Sequence, residues 1–301
     1  MTKTGKWIIG CTTILFIIVI GISILFSIFL SSDEGYEDEM LGGSNRNSKI
    51  ALVEIKEEII ESENIVRQLK KYRLNDDVKA VVLRINSPGG DVASSQEIYD
   101  EVTKVRKVKP IVASFGSVAA SGGYYIAVGA TKIVSNPGSV TGSIGVISQI
   151  LNAEDLLSKI GIGSTTIKTG KYKDSGSPYR KATEEDIKYF KGTIDEIYLQ
   201  FVATVSYERK LSMDSVVQLA NGQIYTGLYA YNLGLVDTLG TYEDAITYAG
   251  ILANINGDAT IIKERKNQKF MDVIFGEIET KVLDKVINKI RPTIFQYKFQ
   301  Y

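Results

Sequence analysis

The chain has no histidine in 301 residues, and this absence excludes whole classes of chemistry. Ser-His-Asp and Cys-His catalysis are ruled out, as is a zinc site of the usual His/Cys kind. The single cysteine, Cys11, lies in an apolar N-terminal run, so the rest of the chain has neither a disulfide nor a thiol nucleophile. Net charge is missing too, because 35 Lys and Arg balance 35 Asp and Glu. With no basic surplus and no dense basic run, nucleic acid is not an expected partner. Prolines number only five and hydrophobic residues make up 44%, a composition that suits a folded globular protein.

From Trp7 to Leu30 no residue is charged. As a helix this run would be ~36 Å long, enough to cross the ~30 Å hydrocarbon core of a bilayer. No small-x-small cleavage pattern follows it, so an uncleaved single-pass anchor is expected rather than a signal peptide. Lys3 and Lys6 precede the run, while Asp33, Glu34, Glu37, Asp38 and Glu39 follow it. The positive-inside rule then puts residues 1–6 in the cytoplasm and the bulk of the chain outside the cell membrane. Residues 31–48 read as an acidic, flexible linker.

Beyond the linker, strand and helix patterns alternate. Strands are expected at 50–55, 78–85, 110–115, 132–135, 144–148 and 164–168. Helices are expected at 63–74, 94–107, 154–160 and 184–210, and a small-residue helix opens near Ser121. The stretch Val-Lys-Ala-Val-Val-Leu-Arg-Ile at 78–85 is almost continuously apolar, as in a strand covered on both faces. The alternation predicts an α/β domain with a largely parallel sheet over 49–255. Residues 256–301 would add a strand and an amphipathic helix or tail, with Phe270, Val273, Ile274, Ile278, Val282, Val286 and Ile290 forming its apolar stripe.

Two segments stand out chemically: Ile-Asn-Ser-Pro-Gly-Gly at 85–90 and Ala-Ala-Ser-Gly-Gly-Tyr-Tyr at 119–125. In each, a strand ends in a glycine-rich turn that leads into a helix. Such a turn aims backbone N–H groups at an anion or a developing oxyanion. Ser121 sits in a variant of the nucleophile elbow, with small neighbours at Ala119 and Gly123. Nucleotide binding is disfavoured, because Gly170-Lys171 is followed by Tyr172 rather than Ser or Thr, and no dinucleotide fingerprint follows a strand.

A serine nucleophile without histidine needs Lys, Asp or Glu as its base. No Ser-x-x-Lys arrangement occurs, so the base must come from a distant segment. The glycine-containing loop Thr-Gly-Lys-Tyr-Lys-Asp-Ser at 169–175 offers both Lys171 and Lys173. A free lysine is only ~0.1% neutral at pH 7.4, so a lysine base has to be desolvated, at a cost of about 4 kcal/mol for three pH units. Chemistry leaves the choice between the two lysines open.

The ordered set INSPGG (85–90), AASGGYY (119–125), TGSIGV (141–146) and GKYKD (170–174) resembles the signal peptide peptidase A family. The likeness is to the short, single-copy form of these Ser-Lys membrane proteases found in Gram-positive bacteria. It covers roughly residues 50–249 and implies a ClpP/crotonase-type fold, a spiral of strand-helix units. It further implies Ser121 as nucleophile, Lys173 as general base and Ser143 as the residue that orients the lysine or the deacylating water. The implied oxyanion hole uses the N–H groups of Gly89 and Gly122, with Gly90 close behind. Other implied properties are signal peptides and other apolar or unfolded peptides as substrates, no cofactor, and a homo-oligomeric ring of eight copies. Alternatives with the same fold are a stomatin-cleaving protease and a crotonase-type acyl-CoA enzyme; a non-catalytic membrane scaffold would leave Lys173 exposed.

Overall fold

The computed structural model describes residues 7, 13, 15–23, 36–43, 45–257, 259–266 and 295–299. The chain divides into two compact units, Met1–Glu39 with Glu264–Ile290 and Met40–Lys263 with Arg291–Tyr301. In the first unit, residues 15–23 are helical. Among the described residues no helix is long and apolar enough to cross a membrane. Most of the apolar run at 7–30 and the amphipathic stripe at 270–290 lie outside the described residues. The acidic stretch expected as a spacer contains strand β1 (Tyr36–Gly42), whose side chains are all exposed, and β2 already begins at Asn45.

The second unit carries every candidate site residue. Its strands are β2 (Asn45–Lys56), β3 (Val78–Ser87), β4 (Gly89–Asp91), β5 (Ile111–Ala120), β6 (Lys132–Ser135), β7 (Val140–Gly142), β8 (Ile224–Thr226), β9 (Thr238–Leu239), β10 (Ala259–Lys266) and β11 (Gln296–Lys298). Its helices are α1 (Glu63–Leu74), α2 (Val92–Arg106), α3 (Gly122–Ala127), α4 (Glu154–Lys159), α5 (Glu184–Arg209), α6 (Met213–Leu219), α7 (Gly227–Asn232) and α8 (Tyr242–Leu252). The main sheet runs β10-β2-β3-β5-β6-β9, every pair parallel. Beside the end of β5, β7 joins in parallel and carries β8 antiparallel.

The period of two decides which side of the sheet each residue covers. From β2, Ala51, Val53 and Ile55 pack with Leu69 and Tyr72 of α1 and with Ile98 and Val102 of α2. Their neighbours Ile50 and Leu52 pack with Ala245 and Ala249 of α8 on the opposite face. Helices on both faces explain why β3 reads as an unbroken apolar run and why Val81, Val82, Leu83 and Ile85 are fully buried.

Helix ends follow local chemistry. Thr183 and Asp186 form a capping box at the start of α5, and Thr241 and Asp244 form another at α8. Two expected strands are absent. Residues 144–148 leave the sheet, because Ser143 takes a left-handed backbone conformation (φ 50°) that ends β7. Residues 164–168 are exposed and join no sheet, with Ile167 97% exposed; among the described residues the alternating pattern has no neighbouring strand to dock on. In the other direction, β5 continues past Phe115 to Ala120 and delivers the chain directly to Ser121.

Candidate active site

Parallel strands β5 and β7 lie side by side with Ala120 opposite Gly142. The next residues, Ser121 and Ser143, therefore emerge together at the C-terminal ends of neighbouring strands, about 5 Å apart at the backbone. Both leave the sheet with positive φ, 52° for Ser121 and 50° for Ser143. For a side chain with a Cβ this conformation costs on the order of 1–3 kcal/mol and persists only where surroundings impose it. Here the Ser121 N–H donates to Gly142 O (2.8 Å) and the Ser143 N–H to Gln223 O (2.8 Å). Ser121 also caps α3, whose first turn closes when Tyr125 N–H donates to Ser121 O at 2.8 Å.

The glycines stand against these serines for steric reasons. Gly89 has φ 100°, and a Cβ there would sit 2.0 Å from Tyr297 O and 2.6 Å from Gly122 N. A Cβ on Gly90 would lie 1.9 Å from Ile59 O, and one on Gly122 2.6 Å from Ser95 Oγ. The Gly89 N–H is already engaged, donating to Ser87 Oγ at 3.1 Å. Beyond β2 the chain turns through Glu57 (φ 61°) and runs beside β4, where Ile59 N–H donates to Gly89 O (2.9 Å) and Asp91 N–H to Ile59 O (2.7 Å).

The groove between β4 and Ile147 holds a peptide strand of the protein itself. β11 pairs antiparallel with β4, with Tyr297 opposite Gly90 and Lys298 opposite Gly89. On its other side Gln296 exchanges both backbone hydrogen bonds with Ile147, at 3.0 Å each. Phe299 N–H donates to Pro88 O at 2.8 Å. Antiparallel ladders alternate, so Tyr297 and Gly90 form the next hydrogen-bonded pair and the Gly90 N–H faces the Tyr297 carbonyl. That carbonyl oxygen is also 3.1 Å from the place a Gly122 Cβ would occupy.

The Tyr297 ring is fully buried. It stacks on Tyr125 (5.2 Å between centroids), tilts against Phe201 (4.7 Å), and its hydroxyl donates to Ile197 O at 3.3 Å. Burial, and then the neighbouring Tyr125, push the phenol well above its usual range, so it remains a neutral donor. Next to the strand a cleft of about 780 Å³ opens beside Ser143, bordered by Ile147, Tyr198, Asn221 and Phe299.

Ser121, Ser143, Gly89, Gly90 and Gly122 thus converge. Lys173 does not join them within this chain. It lies on an exposed turn, its N–H donating to Gly170 O at 3.2 Å. Among the described residues, no hydrogen bond or ion pair involves its Nζ. The turn itself is anchored on both sides of Lys173: Lys171 pairs with Glu185 at 2.5 Å, and Asp174 binds Lys168 and Arg180. Arg180 reaches on to Asp186 at 2.6 Å, and Ser175 Oγ donates to the same carboxylate at 2.5 Å.

Glu58, Ile147 and Tyr297 were not singled out from the sequence. The signal for the last was present in Phe295, Gln296, Tyr297, Lys298 and Phe299, which alternate aromatic and polar with period two. Among the described residues, no group of three or more His, Cys, Asp or Glu is arranged to hold a metal ion.

Residues 103–256 match the profile of peptidase family S49, and residues 40–141 match that of Clp protease. A protein of Methanocaldococcus jannaschii, provisionally named a protease, is 40% identical over 261 residues, covering 81% of this chain and 82% of the relative. A protein of Enterococcus faecium, provisionally named signal peptide peptidase SppA, is 38% identical over 254 residues, or 80% of this chain and 73% of the relative. A provisionally named protease of Synechocystis sp. is 46% identical over 179 residues, and the match spans 60% of this chain and 65% of that protein's length.

Proposed function

The chain belongs to peptidase family S49 and is a serine protease, and from that premise we propose that Ser121 and Lys173 form its catalytic dyad at the extracytoplasmic face of a membrane. The observation that carries the proposal is the docked strand. A peptide lies along β4 by backbone hydrogen bonds, with one carbonyl facing the Gly90 N–H and lying close to Gly122, the residue after Ser121. This is how a protease presents a peptide bond, by adding a substrate strand to a sheet edge. It favours a peptide substrate over an acyl-CoA thioester.

In the proposed reaction, Lys173 takes the Ser121 proton as Oγ attacks the scissile carbonyl. The backbone N–H groups of Gly90 and Gly122 hold the tetrahedral oxyanion. Gly89, whose own N–H is held by Ser87, supplies the close approach that a Cβ would block. The lysine ammonium protonates the leaving amine, and water then releases the acyl group with Ser143 orienting the base or that water.

A lysine serves as base only when its ammonium is stripped of water. Lys173 is exposed in the single chain, so cover has to come from association of copies. Leu151, Leu156, Ile160, Ile162 and Ile167 are all exposed in the stretch leading to its loop, which supports an interface between copies there. A closed ring, eight copies in the form the sequence resemblance implies, would supply that cover at every site.

The substrates we propose are released signal peptides and other apolar or unfolded segments, with the run from Trp7 to Leu30 as the anchor. The aromatic pocket around Tyr297 and the name of the Enterococcus relative support this class. The test is turnover of an apolar quenched peptide by Ser121→Ala and Lys173→Ala, with fluorophosphonate labelling of Ser121 in the unaltered protein. Both variants should be inactive; undiminished turnover in both would refute the dyad.

A further inference from the structure

We propose that Glu58 is a specificity-determining residue, one that selects peptides bearing a hydrogen-bond donor on each side of the bond presented to Ser121, above all a basic residue directly after it. The proposal rests on the assignment of Ser121 as nucleophile and β4 as the substrate-binding strand. Along an extended strand, side chains alternate in direction. The Tyr297 ring enters the aromatic pocket, so its two neighbours point the other way, and both meet Glu58. Gln296 Nε2 donates to Glu58 Oε1 at 3.2 Å, and Lys298 Nζ donates to Glu58 Oε2 at 2.8 Å. One carboxylate thus divides its two oxygens between the residues before and after the one whose carbonyl faces Gly90.

The backbone holds Glu58 in that position. Glu57 takes φ 61° and its N–H donates to Asn86 O at 3.1 Å, which turns the chain out of β2 and along β4. Ile59 then bonds to β4 through both its N–H and its carbonyl, so the residue before it is fixed beside the groove. The acid is therefore part of the wall and does not depend on a mobile loop. A carboxylate here accepts from lysine, arginine, glutamine or asparagine and repels aspartate and glutamate. The side chains of Lys298 and Glu58 retain 26% and 32% of their exposure, so solvent screens the pair and the preference should be about tenfold rather than absolute.

The test compares two quenched peptides with cores Phe-Gln-Tyr-Lys-Phe and Phe-Gln-Tyr-Glu-Phe, cleaved by the full chain. Unaltered protein should cleave the lysine peptide with a kcat/KM about tenfold above the glutamate peptide. Glu58→Gln should bring the ratio close to one, and Glu58→Lys should invert it. A Glu58→Lys variant that keeps the unaltered ratio overturns the proposal. Failure of the underlying protease assignment would look different: Ser121→Ala would cleave both peptides normally, or the unaltered protein would cleave neither. The Glu58 contact is then decided by hydrogen–deuterium exchange at residues 296–299 of the full chain. Glu58→Lys should speed that exchange several-fold; unchanged exchange overturns the contact.

Discussion

Replacing Gly90 by alanine tests the site at the point where its geometry is tightest. The added methyl carbon would lie 1.9 Å from Ile59 O and 2.6 Å from both Ile59 C and Ile59 N. All three are backbone atoms in a paired segment, so no side-chain rotation relieves the overlap. A normal carbon–oxygen contact requires the two segments to part by roughly 1 Å or more. That separation breaks the bonds from Ile59 N–H to Gly89 O and from Asp91 N–H to Ile59 O, and it moves the Gly90 N–H away from the substrate carbonyl. Removing one oxyanion donor costs about 10²–10³ in kcat, or roughly 3–4 kcal/mol of transition-state stabilisation. Crowding of the packed backbone adds about 1–3 kcal/mol to the loss of stability. Gly138→Ala is the matched control, since nothing lies within 4 Å of its Cβ position. The assay is kcat and KM on a quenched aromatic peptide, with the fluorophosphonate labelling rate at Ser121 and a thermal melt for both variants. Gly90→Ala should lose at least a hundredfold in kcat while Gly138→Ala stays near unaltered values. A folded Gly90→Ala protein with kcat within threefold of the unaltered protein would refute the role given to this N–H.

Three further outcomes follow from particular contacts. Lys173→Met should abolish cleavage yet leave the melting temperature of the isolated chain within about 1 °C, because an exposed side chain with no described partner contributes little to folding; a large loss of stability would mean that the lysine is structural. Lys210 closes α5 with φ 54° and ψ 37°, a conformation that glycine adopts without strain, so Lys210→Gly should stabilise the fold by about 0.5–1 kcal/mol in a denaturant titration. Hydrogen bonds from Arg180, then Ser175 and Thr183, hold the Asp186 carboxyl far below its usual range, and Arg180 with Lys168 does the same for Asp174. A depressed folded-state pKa stabilises above the unfolded carboxylate value near 4 and is lost as pH falls below it. Exchange protection over residues 174–186, corrected for intrinsic rates, should therefore drop below about pH 4, and Arg180→Ala should remove most of that drop.

Much of the scaffold was legible in short windows. The apolar run at 78–85 implied a strand covered on both faces, and α1 begins and ends where its periodicity does. Residues 144–148 and 164–168 misled because alternation states what a strand could bury, not whether a partner strand is available. The left-handed conformation of Ser143 takes the first out of the sheet, and the second has no strand to pair with among the described residues.

By itself the sequence excluded histidine chemistry, picked out the glycine turns at 85–90 and 119–125, and limited any amine base near residue 172 to two lysines. These are local facts, carried by residue identity and by spacing within one turn or strand. Tertiary structure alone put Ser143 beside Ser121, through the register of Ala120 with Gly142. It also committed the Gly89 N–H to Ser87, and so left Gly90 to face the carbonyl. Likewise it laid Gln296 against Glu58 across 238 positions of chain and left Lys173 exposed to solvent. Pairings of that range depend on how separate layers stack and on which backbone groups are already satisfied. No window of neighbouring residues contains that information.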